Sequence, residues 1–83
     1  MYQVVIEKQA QKQLAKIPPL DYSKVTAALK ELAANPRPHG YKKLKGRPGY
    51  RVRVGDYRII YSVQDNVLTV FILTIGNRKD VYD

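Results

Sequence analysis

A chain of 83 residues can form one domain with a small core, and a hydrophobic fraction of 45% is typical of globular rather than disordered proteins. The chain has no cysteine, which excludes a disulfide framework, a cysteine-ligated zinc finger and a thiol nucleophile. Its net charge of +8 favours an anionic partner. The amino terminus lacks the basic region and apolar run of a signal peptide, and no apolar stretch is long enough to span a membrane. We therefore expect a soluble cytoplasmic protein with no membrane partner.

The N-terminal half predicts a strand followed by two helices. Residues 2–6 are short, apolar and β-branched, as in a strand, and residues 7–17 then change to the spacing of an amphipathic helix. Pro18-Pro19 ends this helix, and a second helix runs from there to about Ala34. Two helices joined by a tight proline turn form an antiparallel hairpin that can cover one face of a sheet.

The C-terminal half predicts strands. Residues 37–49 are rich in proline and glycine and predict an irregular segment, although residues 42–45 could add a short strand. Residues 50–54 and 57–63 then predict two antiparallel strands joined by a two-residue turn. Residues 67–75 are apolar on both faces, which predicts a central strand, and Gly76 is expected to end it.

This order, β-α-α-β-β-β, predicts an α+β fold with one domain over residues 1–83. The helical hairpin is expected to pack on one face of a mainly antiparallel sheet. The other face is expected to be open and basic.

The positive charge is concentrated in the middle of the chain. Residues 37–58 carry eight lysines and arginines against one aspartate, whereas residues 1–36 carry five lysines against three acidic residues. Such concentration favours a polyanion such as nucleic acid, bound with an affinity that falls as the salt concentration rises. The simpler interpretation, a basic surface kept for solubility, would more naturally use dispersed lysines than clustered arginines.

Three of these arginines are predicted to share one face of the sheet. With the period of two that a strand imposes, Arg51 and Arg53 lie on the face opposite Val52, and Arg58 lies on the face opposite Ile59. If the apolar residues cover the core, the three guanidinium groups meet on the other surface. Because like charges repel, this arrangement favours an anion bound between them.

Clustered guanidinium groups suit the cleavage of RNA, in which a 2′-hydroxyl attacks the adjacent phosphate. A protein accelerates this step by accepting the 2′-proton, protonating the departing 5′-oxygen and neutralising the phosphorane. The step requires no metal or other cofactor, and the seven acidic residues lack the paired spacing of a metal site. Arg51, Arg53, Arg58 and Arg78 are suited to the neutralisation. Tyr82 could transfer a proton, because nearby positive charge lowers the pKa of a phenol, or it could stack on a base.

Other polar residues of the basic segment are given smaller roles. His39, the single histidine, is interpreted as an exposed loop residue rather than as a base. Tyr57 and Tyr61 are interpreted as packing residues, whereas Tyr41 and Tyr50 could pack or bind. Four further residues are predicted to contact the RNA backbone without taking part in the chemistry: Lys42, Lys43, Lys45 and Arg47.

Three segments in this order resemble the RelE branch of the RelE/ParE toxin superfamily. They are Tyr50-Arg-Val-Arg-Val, Gly55-Asp-Tyr-Arg-Ile-Ile-Tyr and Gly76-Asn-Arg-Lys-Asp-Val-Tyr. The N-terminal strand and helical hairpin are also similar, so the resemblance covers essentially the whole chain. It implies the toxin of a type II toxin–antitoxin pair, a ribosome-dependent mRNA endoribonuclease that cleaves in the A site by metal-independent attack of the 2′-hydroxyl. The implied partners are a cognate antitoxin, mRNA and the small ribosomal subunit, and the toxin–antitoxin complex is expected to bind operator DNA through the antitoxin.

The resemblance also implies roles for particular residues. The functional positions of the family fall on Arg51, Arg53, Arg58, Arg78 and Tyr82. The first two are commonly lysines in the family, and arginine there keeps phosphate binding but is a poor base. Asn77 stands where many relatives have a histidine, so one candidate base of the family is absent.

Two other functions remain open at this point. The ParE branch of the same superfamily has the same fold but acts on DNA gyrase. A regulator that binds nucleic acid without cleaving it would also need a basic surface. The combination of the four arginines with Tyr82 favours the nuclease over both.

Overall fold

The computed structural model describes residues 1–77, which form two helices and five strands. In chain order these are β1 (Gln3–Ile6), α1 (Lys8–Ala15), α2 (Pro19–Ala34), β2 (Lys42–Lys43), β3 (Tyr50–Val54), β4 (Tyr57–Gln64) and β5 (Thr69–Asn77). The predicted α+β order is confirmed, and the short strand at residues 42–43 adds a fourth strand after the helices. Neither described helix is both long and apolar enough to cross a membrane.

The strands form one sheet in the order β1-β5-β4-β3-β2. β1 pairs with β5 in parallel, and the three other pairs are antiparallel. The most hydrophobic strand, β5, therefore lies between two neighbours, as its two apolar faces predicted.

The predicted ends of β5 were wrong by two residues at each side. A short 3-10 helix, Asp65–Val67, takes up Val67, and Leu68 adopts a left-handed φ of 46°, so the strand begins at Thr69. At the other end Gly76 continues the strand, because it pairs directly with Arg58 of β4. Pairing with β4 along its whole length thus overrides the tendency of glycine to end a strand.

Both helices pack on one face of the sheet. The two helices form a hairpin at Pro18-Pro19, and Pro19 is the first residue of α2. At the other end of α2, Asn35 adopts an extended conformation and ends the helix. Burying a leucine or isoleucine side chain contributes about 1.5–3 kcal/mol, so this layer supplies most of the stability. The buried core comprises Ala10, Val25, Leu29 and Leu32 from the helices and Ile59, Tyr61, Val70, Ile72 and Ile75 from the sheet.

The turn at Gly55-Asp56 fixes the register of β3 against β4. Gly55 has a φ of 59°, which glycine adopts at no steric cost, and the strands pair so that Val52 faces Ile59 and Arg53 faces Arg58. A slip of one residue would move the arginines into the core and the apolar side chains into water. The hydrophobic layer therefore determines which face carries the arginines.

A second, small apolar cluster lies on the face opposite the helices. A register shift between Ile60 and Tyr61 leaves Leu73 as an extra residue on β5, and Leu73 packs with Ile60 and with Leu44 from the loop after β2. Ile60 is 2% exposed and Leu44 is 8% exposed. The face predicted to be open and basic is therefore covered by apolar side chains in its middle.

Candidate anion-binding face

The arginine face consists of Arg51, Arg53 and Arg58, which β3 and β4 place opposite the helical layer. Arg53 pairs directly with Arg58, and Arg51 pairs with Ile60, which packs on the same side. Residues directly opposite on antiparallel strands have Cβ atoms about 4.5–5.5 Å apart, which brings the guanidinium groups within reach of one ligand. The structure thus brings together three of the five residues predicted to act in catalysis.

The positive charges on this face lie close enough together to contribute to a lower pKa of Arg51. Partial burial lowers the pKa of Arg51, and the neighbouring charges of Arg53 and Arg58 lower it further. Arginine remains charged at neutral pH despite such shifts. A bound anion would relieve the repulsion among the three side chains, so the face favours a phosphate or another anion.

A cleft of about 160 Å³ opens at the end of the arginine face. Arg53, Gly55, Tyr57 and Arg58 line it, and we call it the arginine cleft. Gly55 contributes no side chain to the cleft, and no atom lies within 4 Å of the position that a Cβ would occupy there. Two guanidinium groups at one cleft can bind the oxygens of a phosphate from two directions.

The four residues predicted to bind the RNA backbone do not lie on one surface. Lys42 pairs with Arg51 and shares its face, whereas Lys43 pairs with Tyr50 and faces the other way. Lys45 and Arg47 are exposed in the turn that follows. The strand period separates neighbouring lysines that the sequence alone treats as one group.

This turn is held against the sheet by packing and by a backbone hydrogen bond. Leu44 N donates to Gly49 O at 3.1 Å, which closes the turn. A Cβ at Gly49, which has a φ of 116°, would lie 3.1 Å from Tyr61 O and 3.3 Å from Leu44 Cδ1. Only glycine fits this close approach, so the exposed Lys45 and Arg47 are carried on an anchored turn.

Arg37 belongs to the positive segment in sequence but lies in a separate cluster. Its guanidinium forms a two-pronged ion pair with Asp65, with Nη2–Oδ2 at 3.0 Å and Nη1–Oδ1 at 3.2 Å. Nη2 also donates to Tyr50 Oη at 3.4 Å, and Tyr2 Oη donates to Asp65 Oδ1 at 2.6 Å. We call these four residues the Arg37–Asp65 cluster. Hydrogen bonds to Asp65 and then to Tyr50 raise the pKa of Arg37, and hydrogen bonds from Arg37 and Tyr2 lower that of Asp65.

Tyr61 and Tyr57 both pack as interpreted from the sequence, but Tyr57 also contributes to the arginine cleft. Tyr61 is fully buried, its hydroxyl donates to Pro36 O at 2.7 Å, and burial raises its pKa to about 12. Tyr57 packs against the edge of the core and also lines the arginine cleft. The Tyr50 ring packs between those of Tyr61 and Tyr41, tilted to the first and edge-on to the second, with ring centroids 5.7 Å and 5.6 Å away.

Three further expectations concern the remaining candidates. His39 is exposed in the loop before β2, which agrees with its interpretation as a loop residue. Arg78 and Tyr82 lie outside the described residues, so their predicted roles stay predictions. Among residues 1–77, no group of three or more histidine, aspartate or glutamate side chains could hold a metal ion.

Sequence reasoning missed a groove on the other side of the arginine cleft. β1 ends at Ile6, which pairs with Ile72, so the edge of β5 beyond that point faces α1 instead of a strand. There Gln13 Oε1 accepts a hydrogen bond from Ile75 N at 2.7 Å. The α1 groove, with a volume of about 300 Å³, is lined by Gln9, Gln13 and Lys16 on the helical side and by Tyr57, Thr74 and Asn77 on the sheet side. The spacing of the two glutamines and the lysine, at i, i+4 and i+7, was the available signal.

Comparison with protein families places these features in context. Residues 4–82 match the family model described as the ParE toxin of the type II toxin–antitoxin system parDE. The chain is 33% identical over 85 residues to a protein of Methanocaldococcus jannaschii named as a RelE1 toxin, a match that covers 98% of this chain and 94% of that protein.

Solved structures show the same architecture. The archaeal RelE–RelB complex from Pyrococcus horikoshii OT3 contains a chain that superposes with a TM-score of 0.84 and 34% identity, over 96% of this chain and 98% of that one. A chain of the intact RelBE toxin–antitoxin complex of E. coli gives a TM-score of 0.81 and 26% identity, over 93% and 96% of the two chains.

Proposed function

Because this chain belongs to the RelE/ParE family of toxins of type II toxin–antitoxin systems, we propose that it cleaves mRNA in the ribosomal A site, in the cytoplasm. The observation that carries this proposal is the arginine face. Three guanidinium groups meet on one surface, and Arg53 lies directly opposite Arg58 at a cleft. Such a surface suits a phosphodiester whose negative charge increases as it is attacked.

In the proposed reaction, the 2′-oxygen of one nucleotide attacks the adjacent phosphorus. The 2′-proton passes to a base, a second proton reaches the departing 5′-oxygen, and the products are a 2′,3′-cyclic phosphate and a 5′-hydroxyl. Arg53 and Arg58 hold the phosphate in the arginine cleft, and Arg51 adds charge from the same face. Arg78 and Tyr82 complete the proposed site as a further phosphate ligand and as a group that stacks on a base or transfers a proton.

The turn after β2 that carries Lys45 and Arg47, which we call the basic turn, supplies affinity rather than chemistry in this proposal. Lys42 continues the arginine face onto β2, and the exposed Lys45 and Arg47 extend it to the tip of the turn. These side chains would contact phosphates on either side of the cleaved bond or in ribosomal RNA. Lys43, on the opposite face, is expected to contribute less than Lys42.

The proposed partner is a cognate antitoxin. The similar chains from Pyrococcus horikoshii and E. coli were solved in complexes with an antitoxin named RelB. An antitoxin that covers the arginine face would neutralise the toxin and could carry the complex to operator DNA. Expression of this gene with its neighbour, followed by purification through a tag on either protein, tests the pairing; recovery of the toxin alone would contradict it.

A second candidate function is inhibition of DNA gyrase, since the matching family model is described as a ParE toxin. The two activities separate cleanly in purified systems. The nuclease cleaves mRNA only when ribosomes are present, whereas a gyrase inhibitor blocks supercoiling without cutting RNA. A regulator that only binds nucleic acid does neither.

The decisive experiment uses purified toxin in a reconstituted translation system and maps the 5′ ends of the mRNA. We expect ribosome-dependent cuts within the A-site codon. Arg53→Ala should abolish most of the cleavage, whereas Lys30→Ala, which removes the same charge from the exposed side of α2, should not. Equal cleavage by the wild type and a folded Arg53→Ala variant would contradict the proposal.

A further inference from the structure

The α1 groove adjoins the arginine cleft through one shared residue. Tyr57 lines both spaces, because it stands at the end of β4 next to Gly55 and opposite Asn77 of β5. A chain bound with one phosphate in the cleft would pass Tyr57 to enter the groove. We propose that the α1 groove binds the nucleotide next to the phosphate held in the arginine cleft.

The lining of the groove combines polar residues with the apolar side chains of Ile17 and Ile75, which suits a base with polar edges and flat apolar faces. The groove has a volume of about 300 Å³, against about 160 Å³ for the cleft. Three residues with amide side chains, Gln9, Gln13 and Asn77, line it together with Thr74. Amides present donors and acceptors to the edges of an unstacked base, which is how proteins read single-stranded RNA.

One of these amides is fixed by the fold. Gln13 Oε1 is occupied by the backbone N–H of Ile75, which orients the side chain and leaves its two amide hydrogens as donors. The bond exists because β1 stops at Ile6 and cannot supply an acceptor for this part of β5. The hydrogen bond from Ile75 at the edge of β5 thus fixes the amide of Gln13 at the wall of the groove.

Lys16 supplies the positive charge that a second phosphate requires. It lies just beyond α1, is exposed and lines the groove. Tyr57 offers an aromatic surface between the two spaces, on which a base can stack. The groove therefore offers a phosphate contact, base contacts and a stacking surface, and Tyr57 connects it to the cleft.

Because it assigns a role in RNA binding, this inference rests on the proposed function. Two lysines make its test specific. Lys12 and Lys16 are both exposed and belong to the same helical segment, but only Lys16 lines the groove. Replacing either one by alanine lowers the net charge equally, so a difference between the two variants reports direct contact rather than the general field of the protein.

The experiment measures the binding of a fluorescent 2′-O-methyl hexanucleotide, which cannot be cleaved, by anisotropy over a series of KCl concentrations. Lys16→Ala should weaken binding about two- to fivefold at low salt. It should also reduce the slope of log K against log salt by about 0.7, the value for one phosphate of a single strand. Lys12→Ala should leave both quantities close to the wild type. Gln9→Ala should change the ranking of hexanucleotides that differ in base, with the salt slope unchanged.

The outcomes separate this inference from the proposed function. If Arg53→Ala abolishes ribosome-dependent cleavage but the Lys16→Ala and Lys12→Ala proteins bind RNA alike, the groove is not a nucleotide site and the nuclease remains. If the wild-type protein neither binds the hexanucleotide nor cleaves mRNA on the ribosome, both ideas are overturned. Circular dichroism of each variant confirms that the helix is intact, and Lys16→Gln provides a second variant that removes the charge but keeps a polar side chain.

Discussion

Arg37 and Arg51 belong to the same positively charged segment, yet their surroundings move the guanidinium pKa in opposite directions. Asp65 and Tyr50 raise the pKa of Arg37 through hydrogen bonds, whereas burial and two neighbouring arginines lower the pKa of Arg51. The first environment is completed by the protein's own carboxylate. The second brings like charges together on one face of the sheet. The groups around an arginine, rather than its position in a basic stretch, therefore decide the direction in which its pKa moves.

The alternation of a single strand keeps these two regions apart. Tyr50 and Arg51 are consecutive residues of β3 and lie on opposite faces of the sheet. Tyr50 joins the Arg37–Asp65 cluster and places its ring 5.4 Å from the Arg37 guanidinium carbon. Arg51 joins the arginine face. Substitutions in the two regions are therefore expected to affect different properties, activity in one case and stability in the other.

The largest expected difference is in the rate of cleavage. Arg58→Ala should reduce the rate of ribosome-dependent mRNA cleavage by about 10²–10³, because it removes a contact to the charge that develops on the phosphate. Arg37→Ala should leave the rate close to that of the wild type, since its guanidinium is engaged by Asp65. Single-turnover cleavage on programmed ribosomes measures both. A similar loss in the two variants would remove the distinction between the regions.

The next effect concerns stability at alkaline pH. Tyr61 has a pKa of about 12 in the folded protein, against about 10 for an unperturbed tyrosine, so the folded state holds its proton more tightly. The associated stability is fully present below about pH 10 and is lost as the pH rises towards 12, by about 3 kcal/mol. Urea unfolding across this pH range should show the loss in the wild type but not in Tyr61→Phe. The exposed Tyr22 provides the control, because Tyr22→Phe should retain the loss.

A smaller effect is expected in the apolar cluster on the same face of the sheet as the arginines. Leu44→Ala should lower the free energy of unfolding by about 2 kcal/mol, the low end for such a substitution, because Leu44 packs in a cluster of only three side chains. The neighbouring Lys45→Ala, at an exposed position, should change stability little. Urea denaturation measures both variants. A stable Leu44→Ala protein would show that the apolar cluster does not anchor the basic turn.

The smallest effect should come from the ion pair of the Arg37–Asp65 cluster. Asp65→Asn should lower Tm by only a few degrees at neutral pH, because both partners are substantially exposed to water. The pKa of Asp65 is lowered in the folded state, so its contribution is present above the pKa of the unfolded chain and is lost as the pH falls through the folded value. The Tm values of wild type and Asp65→Asn should therefore converge in acid. A constant difference down to low pH would assign the effect to packing.

The sequence predicted the elements well where a local signal was strong. Pro18-Pro19 and Asn35-Pro36 interrupt helical periodicity, and the observed α2, Pro19–Ala34, has the predicted limits. The alternation in β3 and β4 likewise predicted that Arg51, Arg53 and Arg58 would share a face. These predictions succeeded because proline geometry and strand periodicity act between residues that are close in the chain.

The amino-acid sequence by itself thus determined the order of the elements, the concentration of positive charge and the face that carries the arginines. Tertiary structure decided that Arg37 pairs with Asp65, which lies 28 positions away in the chain. It also decided that Leu44 covers Ile60 and that Gln13 meets the end of β5 to form the α1 groove. Periodicity predicts the face on which a side chain lies. The partner of that side chain depends on how segments distant in the chain pack together, which no local sequence pattern encodes.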